Sequence, residues 1–403
     1  MTKVITDEKQ IDDLLERGVE KIYPNKEDLK KKLMSGDRIR LYCGFDPSAP
    51  SLHIGNAIQI NKLAQFQELG HEVIFLIGDF TGMIGDPTDK SATRKKLTRE
   101  EVLENAKSYK DQANGYLKFD GDNPALVKYN SEWSDKLTFK DLIEVSSNFT
   151  VQQMIQRDMF QQRLKDEKPI HLHEFLYPLA QGYDSMAMDV DLEIGGNDQM
   201  FNMMAGRDLM KAEGKKEKFV LTMKLLADDS GKKMGKSEGN AVFLDQDPAN
   251  MYGVVMSWAD GVIGVGFELA TKVSFEEVKE IYKQLEDPKT NPRDMKMKLA
   301  FEIVKANYGE EAAQEAQERF VSTVQKKEIP TDIPEYKLTE KKGLIDVLFD
   351  SELVASKSEA RRMIKQGGVK LDGEQITDEN FELEPEDKER VLQKGKLHFR
   401  KIV

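Results

Sequence analysis

The stretch RIRLYCGFDPSAPSLHIGNAIQINKLAQFQELGHEVIFLIGDF, residues 38–80, decides the fold. Residues 38–46 have the pattern of a buried strand that ends in an Asp-Pro loop. Residues 53–70 show the apolar spacing of a helix and end at Gly70, a residue type that often terminates helices. Residues 71–80 are a nearly continuous apolar run, which is typical of a central parallel strand. Strand, helix and strand in this order predict a βαβ unit and a parallel α/β sheet.

The sheet pattern continues to about residue 240 and then stops. The remaining elements predicted up to that point are a helix at 97–117, a strand at 125–130, mostly helix over 138–188, a strand at 190–199, a helix at 200–213 and a strand at 219–228. Residues 248–326 are charged, rich in methionine and helical in pattern, and residues 325–343 have the prolines and charges of a linker. The pattern of the last part of the chain predicts two short helices and small strands, with a hairpin at 369–376.

Composition limits the class of protein. The chain has 403 residues, 39% of them hydrophobic, so we expect several globular domains. The formal net charge of −12 argues against extensive coating of nucleic acid but leaves room for a local basic patch. The single cysteine, Cys43, cannot form an intramolecular disulfide, and no apolar stretch has the length of a membrane span. We therefore predict a cytoplasmic protein.

Two short stretches carry chemistry. In HIGN, His53 and Gly55 stand at the predicted start of a helix, where free N–H groups and a partial positive charge favour phosphate. In GKKMGKSEGNAV (231–242), Lys233, Lys236 and Ser237 stand among glycines, and their ammonium groups can stabilise a polyphosphate leaving group. Taken alone, the histidine could be a cap or a surface residue and the lysines could be a solvated turn.

Together, the two stretches resemble the paired HxGH/N and KMxKS signature of class I aminoacyl-tRNA synthetases. The flanks LYCGFDPSAPSLHIGN, FLIGDFTGMIGDPTDKSATR, EFLYPLAQGYDS and LEIGGNDQMFN are similar to the bacterial tyrosyl family, in the same order. The resemblance implies a Rossmann-like parallel-sheet nucleotide-binding domain, followed by an α-helical domain and a small α+β S4-like domain. We predict a catalytic domain at 1–245, a helical anticodon-arm domain at 246–330, a linker at 331–340 and an S4-like RNA-binding domain at 341–403.

The resemblance also implies the roles of individual residues. Catalytic roles are implied for His53, Asn56, Lys233, Lys236 and Ser237; tyrosine contacts for Tyr42, Asp86, Tyr177, Gln181, Asp184 and Gln199; and ATP contacts for Cys43, Gly44, Asp46, Ser48, His53, Gly55, Gly196, Asp198 and Lys236. The chemistry agrees, because a phenol needs a carboxylate and a hydroxyl, and Tyr177, Gln181 and Asp184 share one helix face by their spacing. Lys90 and Arg94 match basic positions near the pyrophosphate, although a solvated charge run explains them equally well.

Three positions depart from the family pattern. Asn56 replaces the second histidine, and its amide can still donate to phosphate; Gly235 replaces a serine, which loosens the loop; and Ser48 keeps the hydroxyl of a common threonine. We expect the activity to tolerate Asn56, and Gly235 leaves the lysines of the motif in place.

A basic helix stands out near the end of this acidic chain. Lys357, Arg361 and Lys365 recur every four positions, with Arg362 beside them, so the stretch presents one basic face. The stretch resembles the S4 RNA-binding fold, and its charges predict salt-dependent contact with RNA phosphates.

The resemblance implies ATP and L-tyrosine as substrates, tRNA(Tyr) as partner, Mg²⁺ bound with ATP and a homodimer, without membrane or DNA partners. We predict no metal site in the protein itself, because the HLH at 171–173 lacks further ligands at zinc spacing. Two alternatives stay open: a tryptophan-activating relative, against which Tyr42 and Asp184 argue, and a non-catalytic RNA-binding paralogue, against which the intact lysines argue.

Overall fold

The computed structural model describes residues 3–88, 97–228, 231, 234, 241–325, 333–385, 388–395 and 398–403. The chain packs into two compact units, the first made of Met1–Gln246 and Trp258–Asn307 and the second of Asp247–Ser257 and Tyr308–Val403. The four-part domain division predicted from the sequence stays a prediction. Within its linker, Glu335–Tyr336 forms a strand and Leu338 is buried, so this part of 331–340 is packed inside the second unit.

The first unit is built on a mostly parallel sheet. Within the described residues, its six strands are β1 (Val19–Tyr23), β2 (Arg40–Phe45), β3 (Glu72–Ile77), β4 (Leu126–Tyr129), β5 (Leu192–Gly196) and β6 (Phe219–Met223). Their order is β1-β6-β5-β2-β3-β4, and only the β1–β6 pair is antiparallel. The chain therefore turns to opposite sides of the sheet at β2 and β5, which is where open α/β sheets bind ligands.

The helices follow in chain order. They are α1 (Glu8–Glu16), α2 (Lys26–Met34), α3 (Ile54–Glu68), α4 (Thr81–Ile84), α5 (Arg99–Ala106), α6 (Tyr109–Ala113), α7 (Ser131–Ser134), α8 (Phe139–Ser146), α9 (Val151–Ile155), α10 (Asp158–Lys165), α11 (Leu176–Ala187), α12 (Met200–Ala212), α13 (Pro248–Met256), α14 (Ile263–Ala270), α15 (Phe275–Glu286), α16 (Pro292–Tyr308), α17 (Glu310–Phe320), α18 (Leu344–Asp350) and α19 (Lys357–Lys365). Short 3₁₀ turns cover Leu172–Phe175, Asn197–Gln199 and Asp260–Val262, and a π-helical turn covers Val321–Gln325. In the described part of the chain no single helix could span a membrane, and the bent pair Pro248–Met256 and Asp260–Ala270 reaches the required length only when both are counted.

The predicted βαβ unit is confirmed. Strands β2 and β3 pair in parallel from Arg40 opposite Glu72 to Phe45 opposite Ile77, and α3 connects them. The apolar face of α3 is buried, including Ile54, Leu63 and Phe66. Each such side chain contributes roughly 1.5–3 kcal/mol when it leaves water, so this face holds the helix on the sheet.

Two elements are shorter than the sequence predicts. The single helix expected at 97–117 is divided into α5 and α6, because polar side chains around the break bind the loop after β2. Asn105 donates to the Pro47 carbonyl at 2.9 Å, Ser108 to that of Pro50 at 3.1 Å, and Tyr109 to that of Ala49 at 2.8 Å. The strand expected at 219–228 ends at Met223, where its pairing with β5 ends.

The second unit has its own core. Within its described residues, strands β7 (Glu335–Tyr336), β9 (Val369–Leu371), β10 (Glu374–Gln375), β12 (Arg390–Lys394) and β13 (His398–Ile402) form a sheet of order β10-β9-β12-β13-β7, and β8 (Lys342–Gly343) pairs with β11 (Glu382–Leu383). Apolar side chains of α18 and α19, such as Leu348 and Ile364, are buried against Leu392 of the sheet. The predicted hairpin is confirmed: β9 and β10 are antiparallel, and Asp372 and Gly373 between them have φ of 52° and 88°, as a tight primed turn requires.

Candidate active site

A cavity of about 440 Å³ opens at the carboxyl edge of the first sheet, next to β2 and β5. The predicted site residues that line it are Tyr42, Cys43, Gly44, Asp46, Ser48, His53, Asn56, Asp86, Tyr177, Gln181, Asp184, Asp198 and Gln199. Residues from six elements or loops, up to 157 positions apart in sequence by the numbers of Tyr42 and Gln199, thus share one cavity. Lys90, Arg94, Lys233, Lys236 and Ser237 lie outside the described residues.

His53 caps the helix at the outer end of this cavity. Its Nδ1 accepts the Gly55 N–H at 3.1 Å, and Asn56 Oδ1 accepts the His53 N–H at 3.0 Å, a reciprocal capping box. In the neutral ring, the proton therefore lies on Nε2, and the Asn56 amide keeps its NH₂ as a donor. Both side chains line the cavity, so the helix N-terminus carries two donors suited to an anion.

Gly55 is required by the same cap. A Cβ on this residue would stand 2.9 Å from His53 Cε1 and 3.0 Å from Nδ1, so a larger residue would displace the imidazole. The glycine thus allows the backbone to lie close to the imidazole ring.

The described residues at both edges of the KMGKS motif are anchored. Before Gly235, the N–H of Met234 donates to the Leu226 carbonyl at 2.7 Å, and Met234 is buried. After the motif, the N–H of Ile54 donates to the Val242 carbonyl at 2.8 Å, next to a bridge between His53 and Phe243. Val242 and Phe243, which follow the motif in the sequence, therefore lie beside the N-terminus of α3.

Asp184 lies buried on α11 at the inner end of the cavity. Its Oδ1 accepts Trp133 Nε1–H at 2.7 Å, and its Oδ2 accepts Asn130 Nδ2–H at 3.2 Å. Burial raises the pKa of this carboxyl well above its usual value, and the two hydrogen bonds oppose the shift. The predicted helix face is confirmed, since Tyr177 and Gln181 of α11 line the cavity with Asp184.

Tyr42 on β2 is fully buried, and its hydroxyl lies 2.8 Å from Ser185 Oγ. Burial raises the pKa of this phenol well above its usual value, so the hydroxyl stays protonated. Behind it, Ser185 accepts a hydrogen bond from Lys218 Nζ at 2.7 Å, and Lys218 forms an ion pair with Glu193. Glu193 in turn accepts Gln181 Nε2–H at 2.9 Å.

Two further carboxylates line the cavity, each held by neighbouring groups. Asp46 accepts hydrogen bonds from Thr81 Oγ1 at 2.6 Å and from Tyr177 OH at 2.8 Å. Asp86 accepts Gln199 Nε2–H at 2.6 Å and the Thr88 hydroxyl at 2.7 Å. These fixed acceptors suit a positively charged ligand group, such as an ammonium.

Sequence reasoning missed part of this constellation. Asn130 follows β4 at the carboxyl edge of the sheet, and Ser185 stands four residues after Gln181, so position and spacing could have indicated both. His173, considered only for zinc, also lines the cavity. Lys218 carries no such signal, because a lysine before a strand is normally solvated.

In the second unit, the predicted RNA-binding residues lie on α19. Lys357 forms an ion pair with Asp346 at 2.7 Å and Lys365 one with Glu379 at 2.8 Å, both partly exposed to solvent. Arg361 and Arg362 are exposed on the same helix. Apolar positions Ala360 and Ile364 hold the opposite side of α19 in the core.

The fold and site define a class of protein. Residues 34–325 match the family of tRNA synthetases class I (W and Y), and residues 325–402 match the tyrosine–tRNA ligase SYY-like C-terminal domain. Among solved structures, the chain is similar to a C-terminally truncated mitochondrial tyrosyl-tRNA synthetase of Coccidioides posadasii, with a TM-score of 0.62, 27% identity and coverage of 77% of this chain and 91% of that one. A tyrosyl-tRNA synthetase of Archaeoglobus fulgidus has the same fold at a TM-score of 0.60 and 20% identity, covering 77% of this chain and 100% of that one.

Curated relatives narrow the class. The tyrosine–tRNA ligase of Thermotoga maritima is 43% identical over 99% of this chain and 98% of its own, and that of Carboxydothermus hydrogenoformans is 44% identical over 97% of each. The chain therefore belongs to the tyrosine–tRNA ligases within the class I synthetases. The family resemblance and fold class expected from the sequence are confirmed.

Proposed function

We propose that this chain activates L-tyrosine with ATP to form tyrosyl-adenylate and then transfers tyrosine to the 3′ end of tRNA(Tyr). The observation that carries the proposal is the buried pair of Asp184 and Tyr42 in the cavity of a chain related to tyrosine–tRNA ligases. A carboxylate can accept the hydroxyl hydrogen of a phenol, and a protonated hydroxyl can donate to its oxygen. An indole has no such oxygen, so this pair argues against tryptophan.

The amino group of tyrosine needs acceptors on the same side of the cavity. We assign this role to Asp86, Tyr177 and Gln181, with Gln199 holding the Asp86 carboxylate. With both ends of the amino acid bound, its carboxylate is presented towards the wider part of the cavity. There it attacks the α-phosphate of ATP, and pyrophosphate leaves.

No side chain has to act as a nucleophile or base in this step. The chain's contribution is to stabilise the charge that develops on the phosphates. His53 Nε2–H and the Asn56 amide stand at the N-terminus of α3 for this purpose, and we assign the same task to Lys233, Lys236 and Ser237 of the motif that precedes Val242, a residue beside this helix end. Cys43, Gly44, Asp46, Ser48, Gly55, Gly196 and Asp198 are assigned to the ATP side.

Mg²⁺ would arrive with ATP and neutralise phosphate charge. Where the structure describes the chain, no group of three His, Cys, Asp or Glu side chains could hold a metal ion, so we assign the cation to the phosphates themselves. We also place the protein in the cytoplasm, on the basis of its single buried cysteine.

Transfer of tyrosine requires tRNA. A terminal ribose hydroxyl attacks the adenylate, and AMP leaves. Arg361 and Arg362 on α19, with Lys357 and Lys365, offer a basic surface for RNA phosphates, and the matched C-terminal family supports this assignment.

A homodimer is supported by exposed apolar side chains in the first unit. Phe139 is 78% exposed, Val151 70% and Leu172 83%, and all three stand on helical segments between β4 and α11. A contiguous exposed apolar patch marks an interaction site, and we propose that these three side chains belong to one. Sedimentation equilibrium of the wild type and of a Phe139→Asp variant would test the dimer, which we expect the substitution to weaken.

Pyrophosphate exchange with each amino acid in turn tests the proposed activity. We expect exchange with ATP that depends on tyrosine and is much weaker with phenylalanine and tryptophan. Exchange driven by tryptophan would favour a tryptophan-activating relative. A folded protein without exchange would favour a non-catalytic RNA-binding paralogue. Aminoacylation of tRNA(Tyr) then tests the second step.

A further inference from the structure

Lys218 is a buried lysine that no part of the proposed mechanism uses. It directly precedes β6, its side chain is 0% exposed, and it lies behind Tyr42. Its Nζ donates to Ser185 Oγ at 2.7 Å, to the Met203 carbonyl at 3.0 Å and to Glu193 Oε2. Burial lowers the pKa of Lys218 and Glu193 raises it, but three acceptors around one nitrogen match the three hydrogens of an ammonium.

The ammonium limits which way the hydrogen of Ser185 can point. Ser185 Oγ lies 2.8 Å from the Tyr42 hydroxyl but 3.4 Å from Glu193 Oε2, which already receives Lys218. Since hydrogen bonds between hydroxyl oxygens and their acceptors are normally shorter than 3.0 Å, the Tyr42 oxygen is the better acceptor. Ser185 then donates to Tyr42, and the Tyr42 hydrogen is left to choose between the Glu193 carboxylate, which Lys218 already occupies, and an acceptor in the cavity.

The second partner of Lys218 orients a glutamine in the same way. Glu193 is a carboxylate and therefore acts only as an acceptor, so it receives the Nε2–H of Gln181, at 2.9 Å. The amide oxygen of Gln181 is then the atom left to accept from a ligand in the cavity. One buried ion pair thus acts on two cavity residues, Tyr42 and Gln181.

We propose that Lys218 is a positioning residue for amino-acid selectivity: through Ser185 and Glu193 it makes Tyr42 a donor to the phenolic oxygen and Gln181 an acceptor for the ammonium. The inference rests on the proposed function and deepens it. Phenylalanine would take the phenolic oxygen away from the Tyr42 hydrogen and leave only the occupied Glu193 carboxylate near it, which a desolvated site penalises. Without Lys218, Ser185 would turn its hydrogen to the Glu193 carboxylate, and Tyr42 would donate to Ser185 instead of to the ligand.

Adenylate formation kinetics with tyrosine and with phenylalanine test this inference. In Lys218→Met, we expect the ratio of kcat/KM for the two amino acids to fall by about tenfold or more, with the KM for ATP unchanged. Ser185→Ala should lower the same ratio without leaving a buried charge. The double variant should lose no more selectivity than the more affected single variant, because both substitutions interrupt one chain of hydrogen bonds.

Lys215→Met is the matched control, because Lys215 is exposed and precedes the same strand; its ratio should equal that of the wild type. If Lys218→Met does not fold, Lys218→Gln retains a donor to Ser185 and should lose selectivity only in part, and Ser185→Ala remains decisive. The inference is overturned if folded Ser185→Ala keeps the wild-type ratio, or if the KM for ATP rises in parallel with the loss. A wild type without tyrosine-dependent exchange would instead defeat the proposed function itself.

Discussion

The two ends of the cavity differ in how far their polar groups are exposed to solvent. At the inner end, Tyr42 is 0% and Asp184 2% exposed, and each makes hydrogen bonds to other protein groups. At the outer end, Ser48 and Asp198 are exposed, and His53 is partly exposed at a helix N-terminus. The inner end is closed and pre-arranged, whereas the outer end is open to solvent.

This difference separates two tasks. A desolvated, pre-arranged end penalises any ligand that leaves its donors and acceptors unpaired, so it suits selection of the amino acid. An open end with the positive N-terminus of a helix can stabilise charge that develops on phosphate, so it suits stabilisation of the transition state, a task in which we propose that the lysine motif takes part. Substitutions at the outer end should therefore affect kcat, and those at the inner end should affect selectivity.

The largest effect is expected from Lys236→Ala. We expect kcat for adenylation to fall by about 10²–10³, the usual effect of removing a group that stabilises transition-state charge, with little change in tyrosine affinity. Pre-steady-state adenylation and equilibrium binding of tyrosine measure the two quantities. Lys232→Ala is the control, because Lys232 stands in the same basic run but outside the KMxKS pattern. A normal rate combined with weak tyrosine binding would contradict the division of tasks.

Asp184→Asn should have the next largest effect. The carboxylate accepts from both Trp133 and Asn130, and an amide would turn an NH₂ group towards one of these donors. We expect kcat/KM for tyrosine to fall by about 100-fold, since a buried donor loses its partner in addition to the lost contact with the phenol. Asp189→Asn, an exposed acid just beyond the same helix, should be close to wild type. If kcat/KM measured with ATP as the varied substrate fell equally, the effect of the substitution would not be local to the inner end.

Tyr42→Phe should have a smaller effect on the same measurement. It removes one neutral donor and leaves Asp184 in place, so we expect the preference for tyrosine over phenylalanine to fall by about tenfold. Discrimination between these two amino acids by tyrosyl-tRNA synthetases is the standard example of this kind of selectivity. Tyr129→Phe at an exposed position serves as control. An unchanged preference would mean that the phenol is recognised elsewhere.

The smallest effect is expected on the exposed surface of the second unit. Replacing both Arg361 and Arg362 by alanine should raise the KM for tRNA by about tenfold or less and reduce its salt dependence, because exposed phosphate contacts are screened. Tyrosine-dependent pyrophosphate exchange should not change. Lys21→Ala combined with Lys31→Ala removes the same charge from exposed positions of the first unit. If this control weakens charging equally, net charge and not α19 is responsible.

Much of the fold could be predicted from the sequence, because its signals are local. The apolar spacing of α3, the positive φ of 89° at Gly70 and the Asp-Gly turn before β10 each follow from neighbouring residues. The spacing that puts Tyr177, Gln181 and Asp184 on one face is also local. In contrast, the division of 97–117 into α5 and α6 depends on carbonyl groups of the loop after β2, 58 residues earlier in the chain for the contact of Ser108 with Pro50.

By itself, the sequence determined the parallel α/β sheet, the family and many of the residues that line the cavity, since periodicity, turn chemistry and ordered motifs depend on residues close together in the chain. Only the tertiary structure decided which of those residues are desolvated and which face solvent. It alone placed Ser185, Glu193 and Lys218 behind Tyr42, because this lysine before a strand is buried where acceptors from three other elements converge on it. The chemistry of Tyr42 and Gln181 is therefore set by contacts that no local pattern in the sequence encodes.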